Sequence, residues 1–362
     1  MYISANEGKL YLKDGQATVY SEPGHDLLQI VDSDNLGEIR ELVVPNTVIG
    51  PPSNLDYSKE TGWLLVANSV AVESDEVIPQ NTVSCIRLNE KSFDLVSEIE
   101  VGLQPSGLDI APDGKSALVA NRAAGSISFL TLSNGAWRQE QVIDVGGAGA
   151  GVCDVSISPD GSFALYVLRE GRSVGVLQKD SRKGTWIRSS RTVALPGLPY
   201  RVVIRPDGER AYVNVSSGSS DPGFLACIEL IGTEPSLTES LVLAYRDPES
   251  VEMSAGGGWL ALPMMAGSNL APSEPGYSEE GRLLVYKEGA LPVLFQDIAC
   301  GAVPEGAAFS EDSLELVVQC HPAKELWVYR REGVAYPFEL HEKIPVKGHP
   351  SALISIANFV SD

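Results

Sequence analysis

Arginines recur at equivalent places in this chain, and they are the residues best suited to bind a ligand. They are Arg122 and Arg169, which each follow a short apolar run, and Arg201, which follows Tyr200. A guanidinium binds a carboxylate or a phosphate through two parallel hydrogen bonds. In a chain with a net charge of −21, such a cluster predicts an anion site that includes Tyr200. The alternative is that each arginine pairs with a nearby acid, for example Arg169 with Glu170 or Asp154.

A histidine and two glutamates could move protons beside this anion site. His321, Glu249 and Glu305 occupy corresponding places in other parts of the sequence, and a histidine near a carboxylate can titrate close to neutral pH. His25 and His349 are expected near the same surface and are added to the substrate-binding set. The alternative for His321 is a loop histidine with no chemistry. No local spacing of ligands supports a metal, so neither a metal nor another cofactor is predicted.

Three further acids share one position inside an innermost strand, the fourth after the residue that precedes the strand. They are Asp56, Asp109 and Glu252. One interpretation is that these carboxylates line a central channel, where burial and mutual repulsion would raise their pKa values. The preferred interpretation is structural: they accept hydrogen bonds from backbone or hydroxyl groups of the next repeat.

A sevenfold repeat must bring these residues together. The clearest copy, SGLDIAPDGKSALVAN from Ser106, returns from Cys153 and from Tyr200. The residues that precede each copy are Pro52, Pro105, Val152, Pro199, Pro248, Pro304 and Pro350. A repeat of this length is one supersecondary unit that buries its apolar faces only against its neighbours. Short strands separated by Asp-Gly and Asn-Gly turns predict antiparallel hairpins, four strands to a copy.

The two ends of the chain complement each other. After Pro350 only SALISIANFVSD remains, enough for one strand, whereas YISAN, DLLQIVD and EIRELVVP near the N-terminus supply the other three. A ring closed in this way exposes no sheet edge at the junction. The sequence therefore predicts one all-β domain over residues 1–362, a seven-bladed β-propeller. Helical stretches long enough for an α/β fold are not evident.

The pattern P-x-G-L-x-I-x-P-D-G-K-x-x-L-V-A-N followed by G-S-I-S-x-L resembles the YVTN-type propeller repeat. That repeat is shared by surface-layer-associated proteins and by the lactonase-like family, which includes the fungal 3-carboxy-cis,cis-muconate lactonising enzyme. The resemblance covers the whole chain and lies in turn and core positions. It implies a pocket on the central axis that acts on small lactones or unsaturated acids. No catalytic residue of the family is carried over.

Composition narrows the class of partner. The acidic charge argues against nucleic acid and against an anionic membrane surface. No apolar run approaches the ~20 residues that cross a bilayer, and the N-terminus has no pattern of a signal peptide. Five scattered cysteines indicate buried, reduced thiols in a cytoplasmic protein.

Long connections after the second strand of several blades predict loops on one face. They include Ser69–Asn81, Ser216–Gly223, Met265–Gly281 and Leu12–Asp26. The leading hypothesis is a cytoplasmic, lactonase-like enzyme for a small anionic metabolite. It would act by lactone hydrolysis, cycloisomerisation or elimination, with the arginines holding the anion and His321 and a glutamate moving the proton. The alternative is a non-catalytic scaffold that binds a protein or peptide partner on this face. A subunit of a periplasmic redox enzyme is disfavoured by the missing signal peptide.

Overall fold

The computed structural model describes residues 1–34, 39–231 and 234–356. In this part of the chain every regular element is a β-strand. Seven sheets have four antiparallel strands each, and one further sheet is a two-stranded hairpin. The prediction of a seven-bladed propeller is therefore confirmed. No helix among the described residues is long and apolar enough to cross a membrane.

The N-terminal strands complete the seventh blade and add the hairpin. They are β1 (Tyr2–Glu7), β2 (Leu10–Lys13), β3 (Gln16–Val19), β4 (Leu27–Val31) and β5 (Arg40–Val43). The order in blade 7 is β30-β1-β4-β5, where β30 is the C-terminal strand His349–Ser355. Because β1 pairs with β30 from Tyr2↔Ser355 to Glu7↔His349, the expected closure of the ring is confirmed. Glu38, at the start of the expected outer strand, and residues 357–362 lie outside the described residues.

Blades 1 to 3 follow in chain order. Blade 1 is β6 (Leu55–Ser58), β7 (Trp63–Glu73), β8 (Glu76–Leu88) and β9 (Phe93–Glu100). Blade 2 is β10 (Pro105–Ile110), β11 (Ser116–Asn121), β12 (Ser126–Ser133) and β13 (Ala136–Asp144). Blade 3 is β14 (Val152–Ile157), β15 (Phe163–Leu168), β16 (Ser173–Asp180) and β17 (Thr185–Ala194). The long insertion expected in blade 1 is thus an extension of β7 and β8.

Blades 4 to 6 complete the ring. Blade 4 is β18 (Leu198–Ile204), β19 (Arg210–Ser216), β20 (Phe224–Ile231) and β21 (Glu234–Val242). Blade 5 is β22 (Glu252–Met253), β23 (Trp259–Met264), β24 (Gly281–Lys287) and β25 (Val293–Cys300). Blade 6 is β26 (Pro304–Phe309), β27 (Glu315–Cys320), β28 (Glu325–Arg330) and β29 (Glu339–Pro345). The innermost strand of blade 5 is short, and Pro248 joins it only through an isolated bridge to Met264.

The apolar core lies between neighbouring blades. The Phe129 ring of blade 2, for example, meets the Trp186 ring of blade 3 edge-on, with 6.4 Å between centroids. Each blade buries its two faces against its neighbours, so the ring grows without a single large core. All five cysteines are buried and unpaired, as expected.

The innermost strands begin with a shift of register in several blades. The shift falls between Pro105 and Leu108 in blade 2 and between Pro199 and Val202 in blade 4, and blades 3 and 6 repeat it. Such a bulge breaks the two-residue alternation of side chains. Consequently, neighbouring residues at the start of these strands can aim at different parts of the axis.

Candidate functional site

A cavity of about 410 Å³ lies on the axis at the face where the innermost strands begin. Its wall is drawn from blades 2 to 5 and its roof from the β2–β3 hairpin. The polar lining consists of Arg122, Arg169, Tyr200, Ser216, Asp247, Glu249 and Asn269. The apolar and small residues are Leu12, Gly15, Ala17, Val48, Ile49, Gly50, Pro248 and Met265. The structure thus brings four of the predicted site residues, Arg122, Arg169, Tyr200 and Glu249, to one cavity.

Arg122 and Arg169 are half-buried in this wall. Arg122 follows β11 and Arg169 follows β15, so the two guanidiniums come from equivalent turns of adjacent blades. Arg169 stacks on the Tyr200 ring, with its Cζ 4.8 Å from the centroid. Among the described residues neither arginine forms an ion pair with a carboxylate, including the suggested partners Glu170 and Asp154. Both guanidiniums are therefore available to an anion in the cavity.

Glu249 lines the same cavity as these two arginines. Burial raises the pKa of its carboxyl to about 8, with Arg169 and Arg122 opposing the shift and Asp247 adding to it. A carboxyl with this pKa is mostly protonated at neutral pH and exchanges its proton just above neutrality. Burial also raises the pKa of the Tyr200 hydroxyl well above its usual value, and the charge of Glu249 adds to that effect. Tyr200 therefore stays protonated and can donate a hydrogen bond.

Glu305 lies next to Glu249 but does not line the cavity. Its side chain is fully buried, and neither carboxyl oxygen has a hydrogen-bond partner among the described residues. Burial and the neighbouring Glu249 raise its pKa well above the usual range. Burial and the neighbouring negative charge both oppose ionisation, so they favour the neutral form of the Glu305 carboxyl.

Arg201 does not join the other arginines. It points along the axis, where it forms an ion pair with Glu252 and lies 3.3 Å from Ser250 Oγ. The bulge at the start of β18 separates its direction from that of Tyr200. Because Arg201 already has a carboxylate partner, the anion site has two arginines rather than the three expected.

His321 and His349 lie beneath the roof hairpin and not in the cavity lining. His321 Nε2 accepts a hydrogen bond of 2.9 Å from the Leu12 N–H, and Nδ1 donates one of 2.8 Å to Pro350 O. With both ring nitrogens occupied by backbone groups, His321 has no free position from which to move a substrate proton. His349 donates to His321 O at 2.8 Å and stacks on Tyr11.

His25, the third expected histidine, is exposed beside Gly8 at the base of the hairpin and is not part of the cavity lining. No cluster of three or more metal-ligating side chains occurs in the described ranges.

A buried ion cluster that the sequence analysis missed fixes the roof to the wall. Lys9 Nζ lies 2.6 Å from both Glu7 Oε1 and Asp26 Oδ2, and it also donates to Asn46 O. Glu7 Oε2 accepts from the Val48 N–H at 3.0 Å. The local signal in the sequence was Lys9, which stands two residues after Glu7, the last residue of β1. The cluster positions both the hairpin and the Val48–Gly50 segment that lines the cavity.

Asp247, another lining residue missed by sequence reasoning, directly precedes the Pro248 anchor. Its Oδ1 accepts from Ser216 Oγ at 3.0 Å and its Oδ2 pairs with Arg246 Nε at 2.7 Å. None of the other six copies has an acidic residue directly before its anchor. This difference between the repeats was the sequence signal that could have identified Asp247.

Two of the three axial carboxylates, Asp56 and Asp109, accept hydrogen bonds from backbone N–H groups, in agreement with the structural interpretation preferred from the sequence. Asp56 Oδ2 accepts from the Ile110 N–H at 2.8 Å, and Asp109 Oδ2 accepts from the Ile157 N–H at 2.5 Å. Each bond links one blade to the next. Glu252 differs, because it pairs with Arg201 of the preceding blade. Burial raises the pKa of Asp109, and the charge of Asp56 adds to the shift.

No family model matches this chain, and no curated protein sequence matches it. Solved structures do. The periplasmic gluconolactonase of Pseudomonas aeruginosa aligns with a TM-score of 0.72 at 17% identity, over 100% of this chain and 99% of that one. A Bacteroides uniformis protein provisionally assigned as a 6-phosphogluconolactonase aligns with a TM-score of 0.73 at 14% identity, over 97% of this chain and 98% of that one.

A chain of hydrazine synthase from Kuenenia stuttgartiensis also aligns, with a TM-score of 0.66 at 15% identity, over 85% of this chain and 90% of that one. Identities this low show a shared fold alone, and one fold hosts many reactions. The chain therefore has the propeller fold seen in lactonases. The narrower resemblance to the muconate lactonising enzyme stays an expectation.

Proposed function

We propose that this protein is a lactonase-like enzyme that hydrolyses a small lactone carrying a phosphate or carboxylate group. The observation that carries the proposal is the pair of unpaired guanidiniums, Arg122 and Arg169, facing Glu249 inside one roofed cavity. In a protein of net charge −21, an anionic substrate needs such a local positive site to bind. The names of the two lactonase structures suggest sugar-acid lactones as the first substrates to test.

The proposed reaction uses Glu249 as the base. Its ionised form takes a proton from a water molecule while the water oxygen bonds to the lactone carbonyl carbon. The oxyanion that develops is stabilised by a guanidinium and by the Tyr200 hydroxyl. The intermediate collapses by breaking the ring C–O bond, and the leaving alkoxide takes the proton back from Glu249. The product is an open-chain hydroxy acid.

Cycloisomerisation and elimination would use the same base but give a different product, so product analysis separates them from hydrolysis. His321 has no part in this scheme, because both of its nitrogens are bonded to backbone. The cytoplasmic location and the alternative of a partner-binding scaffold stay predictions.

The experiment measures acid release in a pH-stat from glucono-δ-lactone and from 6-phosphoglucono-δ-lactone, with spontaneous hydrolysis subtracted. We expect the phosphorylated lactone to be preferred. The Arg122→Ala/Arg169→Ala double variant should lose roughly 100-fold or more in kcat/KM, since a hydrogen bond to a charged group contributes about 1.5–3 kcal/mol. Arg182→Ala, which removes an exposed arginine, is the matched control. No turnover of any anionic lactone above the blank would refute the proposal, as would full activity of the double variant.

A further inference from the structure

The roof of the cavity is a sheet of its own. The β2–β3 hairpin pairs with no other strand in the described part of the chain. Its turn, Asp14-Gly15, has positive φ at both residues, 49° and 71°, which suits a tight two-residue hairpin. At its base Leu10 packs with Val48 and Val70. Because no strand of a blade pairs with the hairpin, its position over the cavity depends on contacts made by individual side chains.

The Lys9 cluster fixes the base of the hairpin, and the two buried histidines hold its middle. His321 Nε2 accepts the Leu12 N–H of the hairpin, while Nδ1 donates to Pro350 O, so the ring must be neutral and in one tautomer. The His349 ring lies 4.7 Å from that of His321 and 5.5 Å from that of Tyr11. The far end of the hairpin reaches blade 5, where a Cβ on Gly15 would lie 3.2 Å from Asn269 O.

We propose that His321 and His349 form an acid-sensitive latch that holds the β2–β3 hairpin closed over the cavity and releases it on protonation. A proton on His321 Nε2 turns the acceptor of the Leu12 N–H into a second donor, so that hydrogen bond is lost. The charged ring would also remain buried beneath the hairpin. Opening exposes the imidazolium to water and relieves both penalties.

The surrounding charges favour release. Tyr11 and Tyr20 face the pair from the hairpin, and Lys324 faces it from the turn between β27 and β28, with its Nζ 5.8 Å from the Tyr20 ring centroid. Glu7 of β1 acts on Tyr20 but is paired with Lys9. Glu7 also faces His349 across the β1–β30 register, but its carboxylate already binds Lys9 and the Val48 N–H. Burial lowers the pKa of His321 to about 3 and lowers that of His349, and the charge of Lys324 adds to both shifts. An added positive charge would therefore lie near Lys324, while the neighbouring carboxylate is already paired.

The direction of the pH effect follows from linkage. The closed hairpin holds His321 at a pKa of about 3, below its ordinary value of 6.5, so protons bind more tightly to the open form. The open population is lowest above pH 6.5 and rises as the pH falls below it. With one proton taken up on opening, the rise is about tenfold per pH unit.

Hydrogen–deuterium exchange tests the latch without any substrate, so its outcome is independent of the proposed function. The quantity compared is the protection factor of the hairpin amides, which corrects for the intrinsic pH dependence of exchange. Between pH 7.5 and 4.5 we expect hairpin protection in the wild-type protein to fall while that of β11 and β12 stays constant. The His321→Gln variant should keep the Leu12 bond but no longer titrate at position 321, so its hairpin protection should fall much less with decreasing pH than that of the wild type.

The His321→Phe variant keeps the ring volume but removes both hydrogen bonds, so it should lose roughly tenfold in hairpin protection already at pH 7.5. His341→Gln, at an exposed histidine on β29, is the control and should behave as wild type. A flat wild-type profile, or a parallel fall in the hairpin and in the blades, would overturn the proposal. Should His321→Phe fail to fold, the wild-type and His321→Gln profiles decide the question.

Discussion

Asp154 Oδ2 accepts a hydrogen bond of 2.9 Å from the backbone N–H of Val202, and this bond joins the innermost strands of blades 3 and 4. The other oxygen of the same carboxylate accepts from Ser53 Oγ at 2.7 Å, at the entry to blade 1. One buried side chain therefore ties together three blades across the axis. Asp56 and Asp109 make equivalent bonds to the next blade, so a chain of carboxylates links blades 1 to 4.

Replacing Asp154 by Ala should lower the free energy of unfolding by about 3 kcal/mol, because the Val202 N–H and the Ser53 hydroxyl both lose their partner. Asp154→Asn retains an acceptor and should cost less. Urea denaturation at pH 7 measures the difference, with the exposed Asp94→Ala as control. A loss for Asp154→Ala no larger than that of the control would show that the carboxylate does not hold the blades together.

Replacing Lys9 by Met should lower the free energy of unfolding by about 4 kcal/mol, since removing one member of a buried ion cluster leaves uncompensated charges. Glu7 and Asp26 would both be left without their cation. Thermal unfolding followed by circular dichroism checks this, and Lys13→Met, in the same hairpin but exposed, is the matched control. Equal melting temperatures of the two variants would contradict the assigned role.

Tyr200 should contribute to anion binding mainly through its ring, on which Arg169 stacks. Tyr200→Leu removes the surface on which Arg169 stacks and should weaken the binding of inorganic phosphate by about 3- to 10-fold, the value of a partly buried cation–π contact. Tyr200→Phe keeps the ring and should bind phosphate nearly as well as wild type. Isothermal titration calorimetry distinguishes the two variants. Identical phosphate affinities of Tyr200→Leu and Tyr200→Phe would exclude the stacking role.

The rate of lactone hydrolysis should rise with pH around a midpoint near 8, the pKa of Glu249. Only the ionised carboxylate accepts a proton from water, so the active fraction grows as the pH increases through that value. Arg169 lowers this pKa, and Arg169→Gln should therefore move the midpoint to higher pH. Initial rates between pH 6 and 9.5 test this, with Glu60→Gln in an exposed turn as control. Unchanged activity of Glu249→Gln would remove it as the base.

The raised pKa of Glu249 also predicts that the free energy of unfolding depends on pH. Its pKa in the folded protein, about 8, lies above the ordinary 4.5, so the folded state binds the proton more tightly. Its favourable contribution is complete below pH 4.5 and is lost as the pH rises to 8. Glu249→Gln should therefore gain stability relative to wild type between pH 5 and 9, by on the order of 4 kcal/mol. Denaturant midpoints at the two pH values provide the measurement.

The repeat predicted the ring because its signals are local. Turn residues such as Pro112-Asp113-Gly114 and the apolar runs around them mark the blades, and the strand starts at Pro105, Val152 and Pro304 agree with the predicted anchors. The closure of blade 7 could also be predicted, because the strands missing after Pro350 are present near the N-terminus.

The directions of side chains were less predictable. Tyr200 and Arg201 are adjacent in a strand that begins with a bulge, and a bulge suspends the alternation from which direction is inferred. The sequence therefore placed Arg201 with Arg169, whereas the structure pairs it with Glu252. His321 was predicted to transfer protons because of its residue type. Its observed role depends on the hydrogen bond from Leu12, which is distant in sequence and belongs to an insertion whose conformation no repeat specifies.

The pairing of β1 with β30 has a consequence for biosynthesis. Blade 7 cannot assemble until the last of its strands has left the ribosome, so blades 1 to 6 must wait as an open arc with one unsatisfied edge. The roof hairpin is attached to that same late blade. The axial cavity is consequently completed only after blade 7 closes, and a nascent chain would lack it until β30 has emerged.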